Sequence, residues 1–269
     1  MEGAGDYVFL REIGRGPHGR VFLARTPPRV DISDRQVAVK VLLVPGTDEG
    51  FDALSAELGL FADVGSPRLL TLHDVAMDGG TLFYAMRHQV LGSLASPTRE
   101  VPRRERLAAV ARAAHAAHEL HEAGIVHRAI KPSNIFLDPA GAVLAEPEVS
   151  HVVSRGQPLT GLSTRAGGFE LELVDPALMR GGRAGRASDI WALGVTLHLA
   201  LTGYGLYPAL VSADPMVAVR MYLRSRPEPD ADLSDGERAV VMRALQPDPA
   251  ARYTTAEELA QDIERVARG

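Results

Sequence analysis

A chain of 269 residues, 46% hydrophobic and 23% charged, has the balance of a packed protein that faces water. Its net charge of −5 gives no general attraction to nucleic acid or anionic lipid, and no apolar run approaches the roughly 18 residues needed to insert across a bilayer. Cysteine is absent, which excludes disulfides and thiolate metal sites.

The first strong signals are strands. Tyr7 to Ile13 alternates imperfectly and runs into a glycine-rich turn, with Val21 to Ala24 as its hairpin partner. Arg35 to Leu42 is rich in β-branched residues and reads as a third strand. Leu54, Leu58, Phe61 and Val64 fall at helical spacing within 51–64, and Gly65-Ser66-Pro67 stops that helix. Strands at 69–75 and 82–86 flank the turn Asp78-Gly79-Gly80. From Gly92 onward helices dominate: an Ala-rich helix over 102–123 with Gly124 beyond its end, a buried one over 188–202, and three more over 216–224, 235–245 and 255–266. A β-like island spans 135–144. Residues 87–91 form the natural linker between a strand-rich part, 1–86, and a helix-rich part, 92–269.

Of 29 basic residues, 27 are arginine and only Lys40 and Lys131 are lysine. Both fall where a nucleotide-handling fold uses a compact ammonium. Gly14, Gly16 and Gly19, followed by Val21, have the spacing of a phosphate-cradling loop or of a tight hairpin that needs left-handed glycines. The run precedes a strand, so a dinucleotide-binding reading fails. Glu57 lies on the next helix, where it can pair with Lys40. His115, His118 and His121 step around a helix rather than sharing a face, so a zinc site is not expected. Arg103-Arg104 and Arg106 read as a solvated helix start.

The stretch His127-Arg128-Ala129-Ile130-Lys131-Pro132-Ser133-Asn134 resembles the catalytic loop of protein kinases, with alanine at the position of the catalytic aspartate. With the glycines, Val37-Ala38-Val39-Lys40, Ser188 to Gly194 and Asp248-Pro249 with Arg252, it makes the chain similar to the protein kinase superfamily over about 7–266, and in particular to bacterial Ser/Thr kinases. The resemblance implies an α+β bilobal fold: a five-stranded antiparallel lobe with one helix, and a mainly helical large lobe. It implies nucleotide contacts from Gly14, Gly16, Gly19 and Lys40, with Glu57 holding the lysine. Val21 and Ala38 would roof an adenine, Met86 would be the gatekeeper, the backbone of Arg87 and Gln89 would face the base edge, and Phe136 would lie beneath it and crowd it. Asn134 would be a vestigial magnesium ligand. His127, Arg128 and Lys131 would be remnants of the catalytic loop, and Asp189 its brace.

The departures are as ordered as the matches. Pro147-Glu148-Val149 replaces the Asp-Phe-Gly that holds magnesium, and Glu148 falls on a position that normally packs against His127 and Phe61. Asp175-Pro176-Ala177 replaces Ala-Pro-Glu, so Arg252 is expected to lose its buried partner. Glu170 is expected to pair with Lys131. The expectation is therefore a pseudokinase acting as a protein-interaction or allosteric module, with no catalytic or metal residues of its own. ATP or ADP would bind weakly and without magnesium, or not at all; firm ATP binding stays open. A forkhead-associated domain reading a phosphorylated Thr160, Ser163, Thr164, Thr254 or Thr255, or an enzyme subunit in a complex, is the expected partner. The alternatives are an atypical phosphotransferase using Glu146, Glu148 or a partner subunit, and a small-molecule phosphotransferase. The absence of cysteine and the opening Met1-Glu2-Gly3-Ala4-Gly5-Asp6, unlike a secretory signal, lead to an expected cytoplasmic location, alone or as the cytosolic part of a larger membrane protein.

Overall fold

The computed structural model describes residues 2–16, 19–145, 169–207 and 214–269. Their contacts divide into two compact units, with the chain leaving the first after Gln89; residues 66–68 join the second.

The first unit is an antiparallel sheet with one helix. Its strands are β1 (Gly3–Ala4), β2 (Tyr7–Gly16), β3 (Gly19–Arg25), β4 (Gln36–Pro45), β5 (Leu72–Asp78) and β6 (Thr81–Arg87), in the order β1-β2-β3-β4-β6-β5. Six strands replace the expected five. The additional β1 is too short to show alternation; Gly5, at φ +56°, turns the chain so that Gly3 and Ala4 pair with Val8 and Tyr7. One sheet face buries Tyr7, Phe22, Ala24, Val37, Val39, Val41, Phe83 and Ala85. Val30 and Ile32, from the β3–β4 connection, pack onto that face. Arg29 of the same connection binds Asp6 at 2.8 Å and Asp74 at 2.6 Å. Helix α1 (Asp48–Asp63) starts on Thr47, whose hydroxyl accepts the Gly50 N–H, and buries Leu54, Leu58 and Phe61. Strand β5 begins three residues later than expected: Leu69 and Leu70 are buried without joining the sheet.

The second unit is built around α2 (Arg103–Glu122), whose buried positions are mostly alanine: Ala109, Ala111, Ala113, Ala114, Ala116 and Ala117. Small side chains allow close approach of its neighbours. Gly124, at φ +79°, closes the helix, and the Ile125 N–H reaches back to Leu120 O at 2.8 Å. Two short strands, β7 (Gly92–Ser93) and β8 (Ser96–Pro97), join the hairpin β9 (Ile135–Asp138) and β10 (Gly141–Leu144) in a small sheet. The remaining helices are α3 (Phe169–Glu172), α4 (Pro176–Met179), α5 (Arg186–Thr202), α6 (Pro215–Arg224), α7 (Asp235–Ala244) and α8 (Ala256–Arg268). Helix α5 is buried along nearly its whole length, as its apolar sequence predicts.

The arginines that open α2 are not simply solvated. Arg103 binds Glu237 through two nitrogens, at 2.8 and 2.7 Å, and Arg106 donates to Val101 O and Ala200 O. Glu237 is almost fully buried, and a carboxylate removed from water recruits a cation even from a helix start.

Candidate functional site

Within the first unit, cross-strand register places the expected nucleotide-facing residues together. Val21 lies opposite Lys40 and Lys40 opposite Tyr84; two residues along, Leu23 lies opposite Ala38 and Ala38 opposite Met86. Since side chains alternate along a strand, these six share the sheet face opposite the Phe22–Val39–Ala85 core. Glycines 14, 16 and 19 continue the β2–β3 pairing, with Gly14 opposite Val21 and Gly16 opposite Gly19. None of the three has a positive φ, so left-handed backbone is not what they supply. Gly19 is required for another reason: a Cβ there would stand 2.6 Å from Val41 O. At Gly16 a Cβ would meet no atom of the described residues within 4 Å.

The expected Lys40–Glu57 ion pair is absent among the described residues. Lys40 instead holds its ammonium 5.5 Å from the Tyr84 ring centroid, a cation–π distance. Tyr84 sits directly across the ladder from Lys40. The Arg87 N–H is committed to Thr71 O at 2.9 Å, and its side chain lies 3.7 Å from Asp34. Gln89 is half-buried in the last residues of the unit. Beside it, burial and the Arg11 charge push the His88 imidazole below its usual pKa.

Within the second unit, the loop 127–134 is held from three sides. Asp189, on the first turn of α5, accepts the His127 N–H, the Arg128 N–H and a His121 ring nitrogen, each at 2.8 Å. Its expected role as a brace is therefore met. The three contacts hold Arg128 at φ +65°, a left-handed backbone that is costly for a residue with a Cβ. The His127 ring is fully buried, with Nε2 2.8 Å from Ala145 O and Nδ1 3.2 Å from the Ala129 N–H. Those partners set the tautomer: Nε2 donates and Nδ1 accepts. Asn134, at the end of a 3₁₀ turn from Pro132, donates its side-chain amide to Ala129 O at 2.8 Å. Position 129 thus has both backbone groups fixed and carries only a methyl. Lys131 is half-buried and extended at the start of that turn. Phe136 pairs with Val143 and Ser93 in the small sheet.

A divalent cation of the magnesium type needs several oxygen ligands, carboxylates foremost. Asn134 offers one amide oxygen, Ala129 none, and no cluster of three acidic or histidine side chains suits a metal among the described residues. Within the loop 127–134 no residue supplies the carboxylate that a magnesium ion calls for. Glu146, Pro147, Glu148, Thr160, Ser163 and Thr164 lie outside the described residues, as does the Glu170 side chain with its expected Lys131 pair. Thr255 caps α8 by accepting the Glu258 N–H, and Thr254 is exposed beside it.

Arg252 has not lost its partner. Its two terminal nitrogens bind Asp175 at 2.6 and 2.9 Å, both groups being buried, and its guanidinium lies 5.0 Å from the Trp191 ring. The carboxylate has moved from the third residue of the 175–177 triplet to the first. There it also accepts the Ala177 N–H at 2.8 Å and caps α4, with Pro176 in the first helical turn. An acidic residue before proline is an N-cap signal, and it is a cue from which the relocated carboxylate could have been found. Glu172 carried no comparable cue. It is buried and accepts the N–H groups of Leu206 and Tyr207, while burial raises its pKa against those two bonds.

The protein kinase domain family matches residues 7–263. Serine/threonine-protein kinase PknK of Mycobacterium tuberculosis is 30% identical over 276 residues, covering 96% of this chain and 23% of its own length. PknB of Mycobacterium leprae is 28% identical over 96% of this chain and 42% of its own length. PrkC of Bacillus subtilis is 25% identical over 97% of this chain and 40% of its own. The chain therefore spans well under half the length of these relatives. Among solved structures, a point mutant of the Mycobacterium tuberculosis PknI kinase domain superposes with a TM-score of 0.71 at 23% identity, over 100% of this chain and 99% of that one. The ordered strands, the braced loop 127–134 and these matches lead to one conclusion: this chain belongs to the protein kinase domain family.

Proposed function

We propose that this domain is a pseudokinase, a protein-interaction or allosteric module that binds ATP weakly and without magnesium, or not at all. The observation that carries the proposal is Ala129. Its N–H and C=O are both hydrogen-bonded within the loop, so the site of the general base is built and filled by a methyl group. A positioned base contributes about 10²–10⁴ in rate. Loss of the main metal carboxylate, where Pro147 stands in sequence, removes further transition-state stabilisation. The retained Lys40 and Gly19 suit a nucleotide's phosphates, but Asn134 alone does not replace the carboxylates that hold its metal.

Isothermal titration with ATP, with and without magnesium, tests the nucleotide half; micromolar, magnesium-dependent affinity overturns it. Transfer from γ-labelled ATP tests the chemistry. The expected label is none beyond background. Label that exceeds stoichiometry and vanishes in Lys40→Ala supports instead an atypical phosphotransferase using Glu146, Glu148 or a partner subunit. That reading draws support from the relatives, which are named serine/threonine-protein kinases. On the first reading the partner is a protein, either a forkhead-associated domain recognising a phosphorylated threonine or serine of this chain, or an enzyme subunit. The domain itself works in the cytoplasm.

A further inference from the structure

Helix α6 is held by its inner face. Ala218 and Tyr222, one turn apart, are buried, and the Tyr222 hydroxyl donates to Val174 O at 2.7 Å, just beyond α3. The outer face carries Met216, Val217, Arg220 and Arg224, all exposed. Arg220 and Arg224 also stand one turn apart, so they are neighbours on the surface. The α4–α5 connection adds two more guanidinium groups. Gly181, at φ +92°, turns the chain, and the Gly182 N–H reaches back to Ala177 O at 2.9 Å, so Arg180 and Arg183 lie on one exposed bend. Arg180 joins the two elements by donating to Leu223 O at 3.2 Å, next to Arg224.

Exposed arginines elsewhere on the second unit find carboxylates: Arg99 binds Glu105, Arg186 binds Glu122 and Arg265 binds Asp262. Arg180, Arg183, Arg220 and Arg224 make no ion pair among the described residues. The local acids are committed: Asp175 to Arg252, Glu172 to the Leu206 and Tyr207 N–H groups, and Asp214 to those of Met216 and Val217. Nor are the four cations needed to close α6. Ser225 gives its N–H to Met221 O and Tyr222 O and its hydroxyl to Met221 O, while Arg180 takes Leu223 O. The negative end of the helix accounts for one cation in the last turn, Arg224, and not for the rest.

We propose that the outer face of α6 and the 180–183 bend form a docking surface for an acidic segment of another protein. Guanidinium forks pair carboxylates through two parallel bonds. Arg220 and Arg224 are about 6 Å apart along the helix axis, close to the ~6.8 Å between alternate residues of an extended chain. An extended segment with an acid at every second position therefore meets both. Met216 and Val217, one turn earlier, receive an apolar side chain of the same segment. The net charge of −5 opposes a long polyanion such as nucleic acid. Charges beyond about 8 Å are screened at physiological ionic strength, so a short acidic segment feels mainly the arginines. The surface rests on these side chains and not on Ala129: phosphoryl transfer by the domain would leave it in place.

Fluorescence anisotropy of the whole protein with a labelled peptide, glutamate alternating with serine and a leucine at one end, tests the surface. Saturable binding is expected, about tenfold weaker when glutamine replaces the glutamates, and about tenfold weaker in Arg220→Gln with Arg224→Gln. Arg104→Gln with Arg265→Gln, at exposed positions of α2 and α8, removes the same charge and should leave binding unchanged. Equal loss in the two double variants overturns the proposal, because net charge alone would then set the affinity. So does the absence of saturable binding. Tighter binding of a single-stranded oligonucleotide or of anionic vesicles, lost in Arg220→Gln with Arg224→Gln, overturns it as well. If that variant fails to fold, hydrogen exchange of the wild type decides: the peptide should protect 180–184 and 216–226, and protection confined elsewhere counts against the surface.

Discussion

At Asp175 one carboxylate neutralises the buried Arg252 guanidinium and accepts the Ala177 N–H that starts α4. Removing it does more than remove a helix cap, which is typically worth about 1 kcal/mol. It leaves Arg252 buried with only the carbonyls of Gln246 and Ala187, and breaking a buried pair from one side costs about 3–5 kcal/mol. Asp175→Ala should therefore lower urea stability by an amount in that range, and Asp175→Ala with Arg252→Met should recover part of it. A loss near 1 kcal/mol would mean that only the cap matters. Motif order in the sequence points away from this pair, because it places the carboxylate after the proline. Charge neutralisation constrains where an oxygen ends up in space and not which residue carries it. For Lys40 the place on the sheet face was legible, whereas its neighbour Tyr84 depended on cross-strand register.

Among the elements, α5 and α7 approach so closely at Gly194 that a Cβ there would meet the Ala244 Cβ at 2.7 Å and Leu245 at 3.2 Å. Alanine gains about 1 kcal/mol over glycine in a helix, but overpacking a core costs about 1–3 kcal/mol. Gly194→Ala should therefore be neutral to destabilising by up to about 2 kcal/mol. At Gly59 on α1 nothing lies within 4 Å of the added methyl, so Gly59→Ala should stabilise by up to about 1 kcal/mol. Thermal melts of the two variants should move apart, and a shared direction would contradict the packing described for α5. The long helices and strands were legible because their apolar period holds over many positions; the caps Thr47 and Ser234 were not read, and α1 begins at Asp48, before the expected 51. Strand β1 and the short α4 were not legible, since two or four residues carry no period. Arg103 misled for the opposite reason: a run of arginines reads as solvated until a buried carboxylate such as Glu237 arrives from 134 residues away.

For the molecule as a whole, 27 of 29 basic side chains are guanidinium groups, so an amine-acylating reagent finds only Lys40, Lys131 and the chain's first amino group. On the proposed nucleotide site, protection of Lys40 reports bound nucleotide. On the metal-independent binding proposed above, adding magnesium to ATP should not deepen that protection when peptides are read by mass; a clear increase would count against it. No helix among the described residues is long and apolar enough to cross a membrane. The kinase frame was legible across the chain because its landmarks are short motifs in fixed order, while the contacts that replace lost ones depend on geometry that order does not encode. The grip of His127 and Asn134 on the backbone at 129 has a genetic corollary. An alanine codon can become an aspartate codon by one base change, whereas the proline at 147 needs two. On the pseudokinase reading, an acid would thus return to an already shaped loop in fewer base changes than a carboxylate to position 147, and the intermediate would be a protein with half an active centre.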